Sequence, residues 1–440
     1  MSIASVGDLG TASSKTTGTT LSMSPARSVA VDQLIAIWAM WDTGSTLHPN
    51  PSDSKGNIYT MAGWGSHGDI GLVAIYLCKV QVALATLDTI TLTGSSLDAK
   101  AMSAWEFSFT SSEMRWAKNR KWSDGDGSSL GGDPPAVTFG VMDSQEYLLL
   151  HALGAEAPST DTYTWDADYT QITPAGTTGG VDDSNVTILG GWRIATLTDD
   201  TIDVTSDTAD RDYVQVYIAI SEHDPINEFP TTGILDDFNR ADEEPLDAGE
   251  WDTTLGAGSG SRKLRVVLNQ SANGTTGTGF GGQWRIDELV SAEAEGYCTL
   301  ASAPNGGSEG VGVIIMGGGA SSSANKSGIS AFYQEFTSGA FPGFDNVRYD
   351  IEGFTGPSPV AVCAVTLADG DKLGIEVRDK LSNLWLDLGS GWNWYGAIYR
   401  NTFASGGKIG LEIQGTDPRV DDFGGGDIFS LPQIIRRVLG

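Results

Sequence analysis

The triplet Asp-Asp-Phe occurs twice, in ILDDFNR (234–240) and in RVDDFGGGD (419–427). Asp236, Asp237, Asp421 and Asp422 therefore sit in two extended stretches about 185 residues apart. If these stretches are the first and last strands of one domain and lie side by side, four carboxylates meet. They repel unless something neutralises them. Calcium takes about six to eight oxygen ligands, so carboxylates joined by backbone carbonyls suit it. In an alternating strand only one Asp of each pair faces a given side. Two readings stand: capping and solvated edge charges, or a structural calcium held by Asp236, Asp237, Asp421 and Asp422. Phe238 and Phe423 lie two residues beyond Asp236 and Asp421. They are expected to share those residues' faces and anchor the core if Asp237 and Asp422 point outward.

A second candidate is aromatic. GSGWNWYGAIYR (389–400) places Trp392, Trp394, Tyr395 and Tyr399 in a Gly-bounded stretch read as a loop. Flat aromatic faces bind sugar rings, and Trp and Tyr anchor interfaces. The alternative is that Trp392 and Trp394 point into a sandwich core.

A third is basic. MRWAKNRKW (114–122) combines Arg115, Lys118, Arg120 and Lys121 with Trp116 and Trp122. SSEMRWAKNRKW (111–122) has no clean helical face, so a loop or hairpin is expected. It is either a solvated loop or a docking patch for an acidic neighbour or acidic glycan. The tail, DIFSLPQIIRRVLG (427–440), is different again. Ser430 and Pro432 suit a helix start. Ile434, Ile435, Val438 and Leu439 would then lie roughly opposite Arg436 and Arg437. A helix of about eight residues is marginal alone in water, so it is expected to dock, on its own domain or on a neighbouring subunit.

Other chemistry has no carrier in the sequence. Glycoside hydrolysis needs two carboxylates about 5 to 9 Å apart, and no E-x-D-x-x-E strand motif occurs. There is no P-loop, H-E-x-x-H or C-x-x-C. His48, His67, His151 and His223 are isolated from one another. No enzymatic activity is expected.

The elements that must carry these residues are strands. The 440 residues contain 57 Gly and only 19% charged side chains, with no Glu/Lys helical runs and no heptads, which points to many short strands joined by turns. The length suits two or three domains. The formal charge of −30 gives no basic stripe for nucleic acid and no attraction to an anionic membrane. No apolar run is long enough to span a bilayer. The start, MSIASVGDLG, has no charged n-region or apolar h-region, so no secretory signal is expected. Cys78, Cys298 and Cys363 are scattered through apolar runs and read as buried free thiols.

Nine candidate strands occupy 1–224, at 29–41, 57–64, 70–80, 88–94, 101–109, 136–142, 145–153, 187–195 and 212–222. They predict an N-terminal β-sandwich. HDPINEFPTTG (223–233), with two Pro, predicts a stiff linker over 225–234. A second sandwich is expected over 235–425, with strands at 264–269, 281–287, 296–302, 310–318, 329–336, 346–354, 361–368, 372–379, 384–389 and 408–413. The docking tail follows at 426–440.

The second unit carries a resemblance. LDDFNRADEEPLDAGEWDT (235–253) resembles the opening of concanavalin-like or laminin-G-like jelly-roll domains of tailed-bacteriophage minor tail proteins and fibres. That pattern is a DxFNRA-type strand, an acidic Pro-Leu segment, then a Trp after a small loop, here Trp251. VDDFGGGD (420–427) matches how such domains end. The resemblance covers about 190 residues. More loosely, VAVDQLIAIWAMWD (29–42) followed by DSKGNIYT (53–60) resembles β-sandwich domains of phage and bacterial surface proteins. The resemblance implies an all-β virion component: a minor tail, fibre or spike protein displayed outward, touching host-surface glycan and other virion proteins. It implies a homo-oligomer, a trimer among the forms, and structural calcium at the paired Asp strands. A capsid decoration or head-fibre protein, or a free carbohydrate-binding module, are the alternatives.

Overall fold

The structure is a computed structural model. It describes residues 3–42, 49–67, 71–97, 99–109, 113–125, 134–138, 144–179, 184–198, 200–206, 212–223, 229–246, 249–251, 264–273, 280–291, 293–305, 309–318, 327–336, 344–351, 359–378, 381–399 and 407–428. The chain is all-β, with no α-helix among the described residues. It divides into two compact units, Met1–Pro225 and Ile226–Gly440.

In the first unit one run of antiparallel strands hydrogen-bonds in the order Ala4–Ser14, Lys100–Ser108, Leu34–Trp41, Gly71–Lys79, Thr60–His67. A second runs Thr170–Gln171, Thr187–Leu197, Gln145–Ala155, Tyr213–His223, Glu113–Gly125. A small third sheet joins Gly18–Met23, Ile90–Leu97 and Asn50–Asp53. Leu34–Trp41 is buried at every position, so it reads as a continuous apolar run rather than an alternating one. The two large layers pack face to face. A Cβ at Gly190 would meet the Trp38 ring, and the Trp38 Nε1 donates to His151 O across the gap at 2.8 Å.

In the second unit one run is Pro359–Ala364, Phe344–Ile351, Ser327–Phe336, Glu309–Gly318, Gly407–Gln414, Phe280–Val290. The facing run is Trp392–Tyr399, Leu381–Asp387, Lys372–Arg378, Ala294–Ser302, Arg419–Asp427, Gln270–Asn273, Leu264–Val267, with Ile234–Asp236 also on Arg419–Asp427. The layers meet where Gly296 lies against Val313, Ile315 and Ile409. Cys298 is buried here and Cys78 in the first unit; both are free. Burial pushes the Cys298 thiol up in pKa.

Two segments read as loops are strands. Glu113–Gly125 pairs along Tyr213–His223, with register shifts at Tyr217/Ala219 and Ala219/Ile220. Each shift inserts an extra residue into Glu113–Gly125 and breaks the period of two that would mark a strand in the sequence. Trp392–Tyr399 forms a hairpin with Leu381–Asp387.

Candidate functional site

The two Asp-Asp-Phe stretches are neighbours. Ile234–Asp236 runs antiparallel to Arg419–Asp427, with Ile234 opposite Gly424 and Asp236 opposite Phe423. The carboxylates do not form one cluster of four. Asp236 is buried, and both its oxygens accept from nitrogen. Oδ1 takes the Phe238 amide at 2.8 Å and Arg240 Nη1 at 2.6 Å. Oδ2 takes Arg240 Nη2 at 3.1 Å and Trp251 Nε1 at 2.8 Å, with Arg285 Nη1 at 3.9 Å. Two guanidinium groups supply positive charge to this buried carboxylate. Trp251 stacks on Phe238, centroids 6.0 Å apart, and tilts against Phe423 at 5.4 Å. Phe238 enters this cluster with a positive φ of 50°, which the Asp236 bond to its amide stabilises.

Asp237 and Asp421 are exposed, and Asp237 Oδ1 accepts the Asn239 amide at 3.0 Å. Asp422 is half-buried. Burial raises its carboxyl pKa, the charges of Asp421 and Asp237 raise it further, and Lys372 opposes them. Asp421 does not share the face of Phe423, contrary to the alternation argument. Opposite Ala294–Ser302 the register slips between Val420 and Phe423, so Asp421 and Asp422 fall in a bulge. No group of three or more His, Cys, Asp or Glu placed to hold a metal occurs among the described residues.

The aromatic candidates lie on a built surface of the same sheet. Across four strands the register sets Tyr297 opposite Gly374, Gly374 opposite Trp385, and Trp385 opposite Trp394. A neighbouring row holds Lys372, Asp387 and Trp392, with Lys372 Nζ 3.3 Å from Asp387. On the other side, Glu295 lies opposite Glu376 and Glu376 opposite Asn383; all three are buried. Asn383 Nδ2 donates to Glu376 Oε2 at 3.2 Å and its Oδ1 accepts from Trp394 Nε1 at 3.2 Å. Arg378 Nη2 is 2.9 Å from Glu376 Oε1.

The hollow above Gly374 is filled by Phe229. Its ring stacks on Trp385, centroids 5.0 Å apart at 6°, and meets Trp392 edge-on at 4.9 Å and 87°. Tyr297 closes the other side at 6.3 Å. The next residues are tied down too. Glu295 Oε1 accepts from the amides of Thr231 and Thr232 and from the Thr232 hydroxyl, and Tyr297 donates to Thr232 O at 3.0 Å. Burial and the charges of Glu295 and Asp422 push the Tyr297 phenol up to about 12. Residues 229–233, expected within a linker, are thus a strap on the second unit. Trp392 and Trp394 are half-buried on this outer face rather than in the core between the layers; Tyr395 is buried. The Tyr399 side chain lies outside the described residues.

No protein family and no curated protein matches this chain at a significant level.

The basic candidates are placed in register only. Arg115 lies opposite Ser221, Trp116 opposite Ile220, Lys118 opposite Ala219, Lys121 opposite Tyr217 and Trp122 opposite Val216; Arg120 falls at the first shift. The side chains of these residues lie outside the described set. So do Ile434, Ile435, Arg436, Arg437, Val438 and Leu439.

Sequence reasoning missed a polar knot in the first unit. The phenols of Tyr169 and Tyr217 meet at Asp200 Oδ2 and at each other, while Arg193 Nη1 reaches Asp200 Oδ1 at 2.8 Å. Burial, more than the Asp200 contact, drives both phenols well above their ordinary pKa. Beside them His151 is sealed, with Nε2 donating to Gln215 Oε1 at 3.0 Å and Nδ1 buried without a partner. Burial pulls its pKa down to about 4. Only long-range register assembles this group, from strands 145–155, 187–197 and 213–223 and the segments between them.

Proposed function

We propose that the chain is a non-enzymatic structural component of a tailed-phage virion: a minor tail, fibre or spike protein displayed outward and binding host-surface glycan. On this reading the second unit is a concanavalin-like jelly roll, and the chain works as a homo-oligomer among other virion proteins. The observation that carries it is the pairing of the two Asp-Asp-Phe strands around Trp251. The motif behind the resemblance is thereby one physical unit, in which Asp236, Arg240, Trp251 and Phe423 interlock. Of the two neighbouring carboxylates among the aromatics, Glu376 is held by Asn383 and Arg378 and Glu295 is held through Oε1 by the strap, which supports a binding rather than a hydrolytic role.

The test is immunogold electron microscopy of purified particles with antibody raised to this chain. Label on the tail or its tip supports the proposal. Label over the head moves the protein to a decoration or head-fibre role. Absence of label from particles overturns it. A free carbohydrate-binding module is the second reading, favoured by the row of Tyr297, Trp385 and Trp394 on one sheet face.

A further inference from the structure

The polar knot of the first unit carries one more inference, and it is independent of the virion reading. Three oxygens meet there. The Tyr169 and Tyr217 hydroxyls both donate to Asp200 Oδ2 and also contact each other. Arg193 Nη1 holds the other carboxylate oxygen, Asp200 Oδ1, at 2.8 Å, and Arg193 Nη2 reaches Asp168 at 2.9 Å. Tyr217 is fully buried, while Tyr169 and Asp200 each keep 8% of their surface exposed.

A phenol gives up an electron readily only if its proton can leave in the same step, because a phenol radical cation is a very strong acid. A carboxylate already bonded to the hydroxyl takes that proton at once. In a buried site water does not compete for it. Burial above all holds both phenols above their ordinary pKa, so each keeps its proton until it is oxidised. The second phenol acts after the step: its hydroxyl can turn from Asp200 to the new phenoxyl oxygen and stabilise the radical. Arg193 does not lose its counter-charge when Asp200 becomes neutral, since Asp168 remains on it. Packed rings give the electron a way out. Tyr217 is edge-on to His151 at 5.9 Å, and His151 to Trp165 at 6.0 Å. Trp165, like Tyr169, is 8% exposed.

We propose that Tyr169, Tyr217 and Asp200 form a one-electron redox site, a trap for oxidising species that reach the first unit from solution. One electron passes from the phenol of Tyr169 or Tyr217 to an outer-sphere one-electron oxidant, a metal complex or an inorganic radical, which is reduced. The phenolic O–H bond breaks and its proton forms an O–H bond on Asp200 Oδ2. The products are a neutral phenoxyl radical and a neutral carboxyl group. Tyr59 offers a contrast. Its hydroxyl also donates to a carboxylate, Asp53 Oδ2 at 3.0 Å. That carboxylate already accepts from the Lys55 and Asn57 amides and from Asn57 Nδ2, which makes it a poorer proton acceptor.

The full chain is mixed with tris(bipyridine)ruthenium and persulfate, flashed with blue light and frozen for electron paramagnetic resonance. The photo-oxidised complex is a cation, which the net charge of −30 draws to the protein. The parent chain is expected to give a neutral tyrosyl signal. Tyr169→Phe/Tyr217→Phe is expected to lose the larger part of it, and so is Asp200→Asn, which keeps an acceptor oxygen but takes no proton. Tyr59→Phe is expected to keep it. Circular dichroism checks that each variant is folded. Should the knot variants not fold, a nitroso spin trap added to the parent chain marks the oxidised ring, located by peptide mass spectrometry. Adducts at Tyr169 or Tyr217 support the proposal. Absence of a tyrosyl signal, an undiminished signal in a folded knot variant, or adducts only at other residues overturns it.

Discussion

The Phe229 ring lies parallel to Trp385, centroids 5.0 Å apart and planes 6° from coplanar. The contact joins a residue ahead of the first strand of its unit to a strand about 155 positions later. It exists because one residue in the row between Tyr297 and Trp385 is glycine. Any side chain at position 374 would fill the hollow from below.

Gly374→Ala is therefore expected to displace Phe229. A Cβ would lie 2.5 Å from one Phe229 ring carbon and 3.1 Å from the Trp392 ring. Overpacking of this kind typically destabilises by about 1–3 kcal/mol. At roughly 2–4 °C per kcal/mol for a unit of this size, the melting temperature should fall by several degrees. The loss should largely vanish in a Phe229→Ala background. Additive losses in the double variant would mean that Phe229 is not what Gly374 accommodates.

Asp236→Ala should be the most damaging single change at the paired strands. It leaves Arg240, Arg285 and Trp251 Nε1 facing a void, and removing one partner of a buried ion pair destabilises by about 3–5 kcal/mol. Urea denaturation read by tryptophan emission measures it. Because the guanidinium groups already neutralise Asp236, excess calcium or a chelator is expected to leave the midpoint of the parent chain unmoved. A calcium-dependent midpoint would contradict this account of Asp236.

Asp422→Asn should act in the opposite direction. The Asp422 carboxyl has a folded-state pKa above its unfolded one, from burial and then the charges of Asp421 and Asp237. The folded state therefore holds the proton more tightly. The resulting stability is present below the unfolded pKa and is lost as pH rises through the folded one. At neutral pH the charged form is a burden. The amide should raise the melting temperature by roughly 1–2 °C at pH 7, the scale of a partly screened surface interaction, and give no gain near pH 3.5. A lower melting temperature at pH 7 would mean that Lys372 outweighs the two like charges.

How much of this was legible depends on where each partner sits in the chain. The all-β class follows from composition, and Leu34–Trp41 and Gly71–Lys79 are plain apolar runs. Ala4–Ser14 was invisible: it has register shifts at Ser5/Gly7 and Asp8/Gly10 and few buried side chains, so no period survives. The repeated triplet announced two neighbouring strands. It could not announce that Asp236 would be neutralised by Arg240 within the same motif and by Arg285 some 49 residues on. Trp392 and Trp394 were readable as candidates, but Phe229, Trp385 and Glu295 gain their roles only when four strands align.

His151 gives the sharpest pH prediction. It is buried, with Trp165 and Tyr217 edge-on to its ring at 6.0 and 5.9 Å. Gln215, whose amide is fixed by donating to Pro135 O, takes the Nε2 proton. The Tyr217 hydroxyl is turned to Asp200, so no carboxylate of that knot reaches the imidazole directly. With a folded pKa of about 4 against roughly 6.5 unfolded, the unfolded state binds the proton first on acidification. The sign follows: stability is complete above about pH 6.5, falls as pH drops, and levels off once both states are protonated below about pH 4. The loss should reach about 2 kcal/mol at pH 5, before most carboxylates titrate. His151→Gln keeps an amide donor toward Gln215 and cannot be charged. Its unfolding free energy from urea titrations should be flat between pH 6.5 and 5, where the parent chain slopes. Equal slopes in the two chains would assign the acid sensitivity to another group.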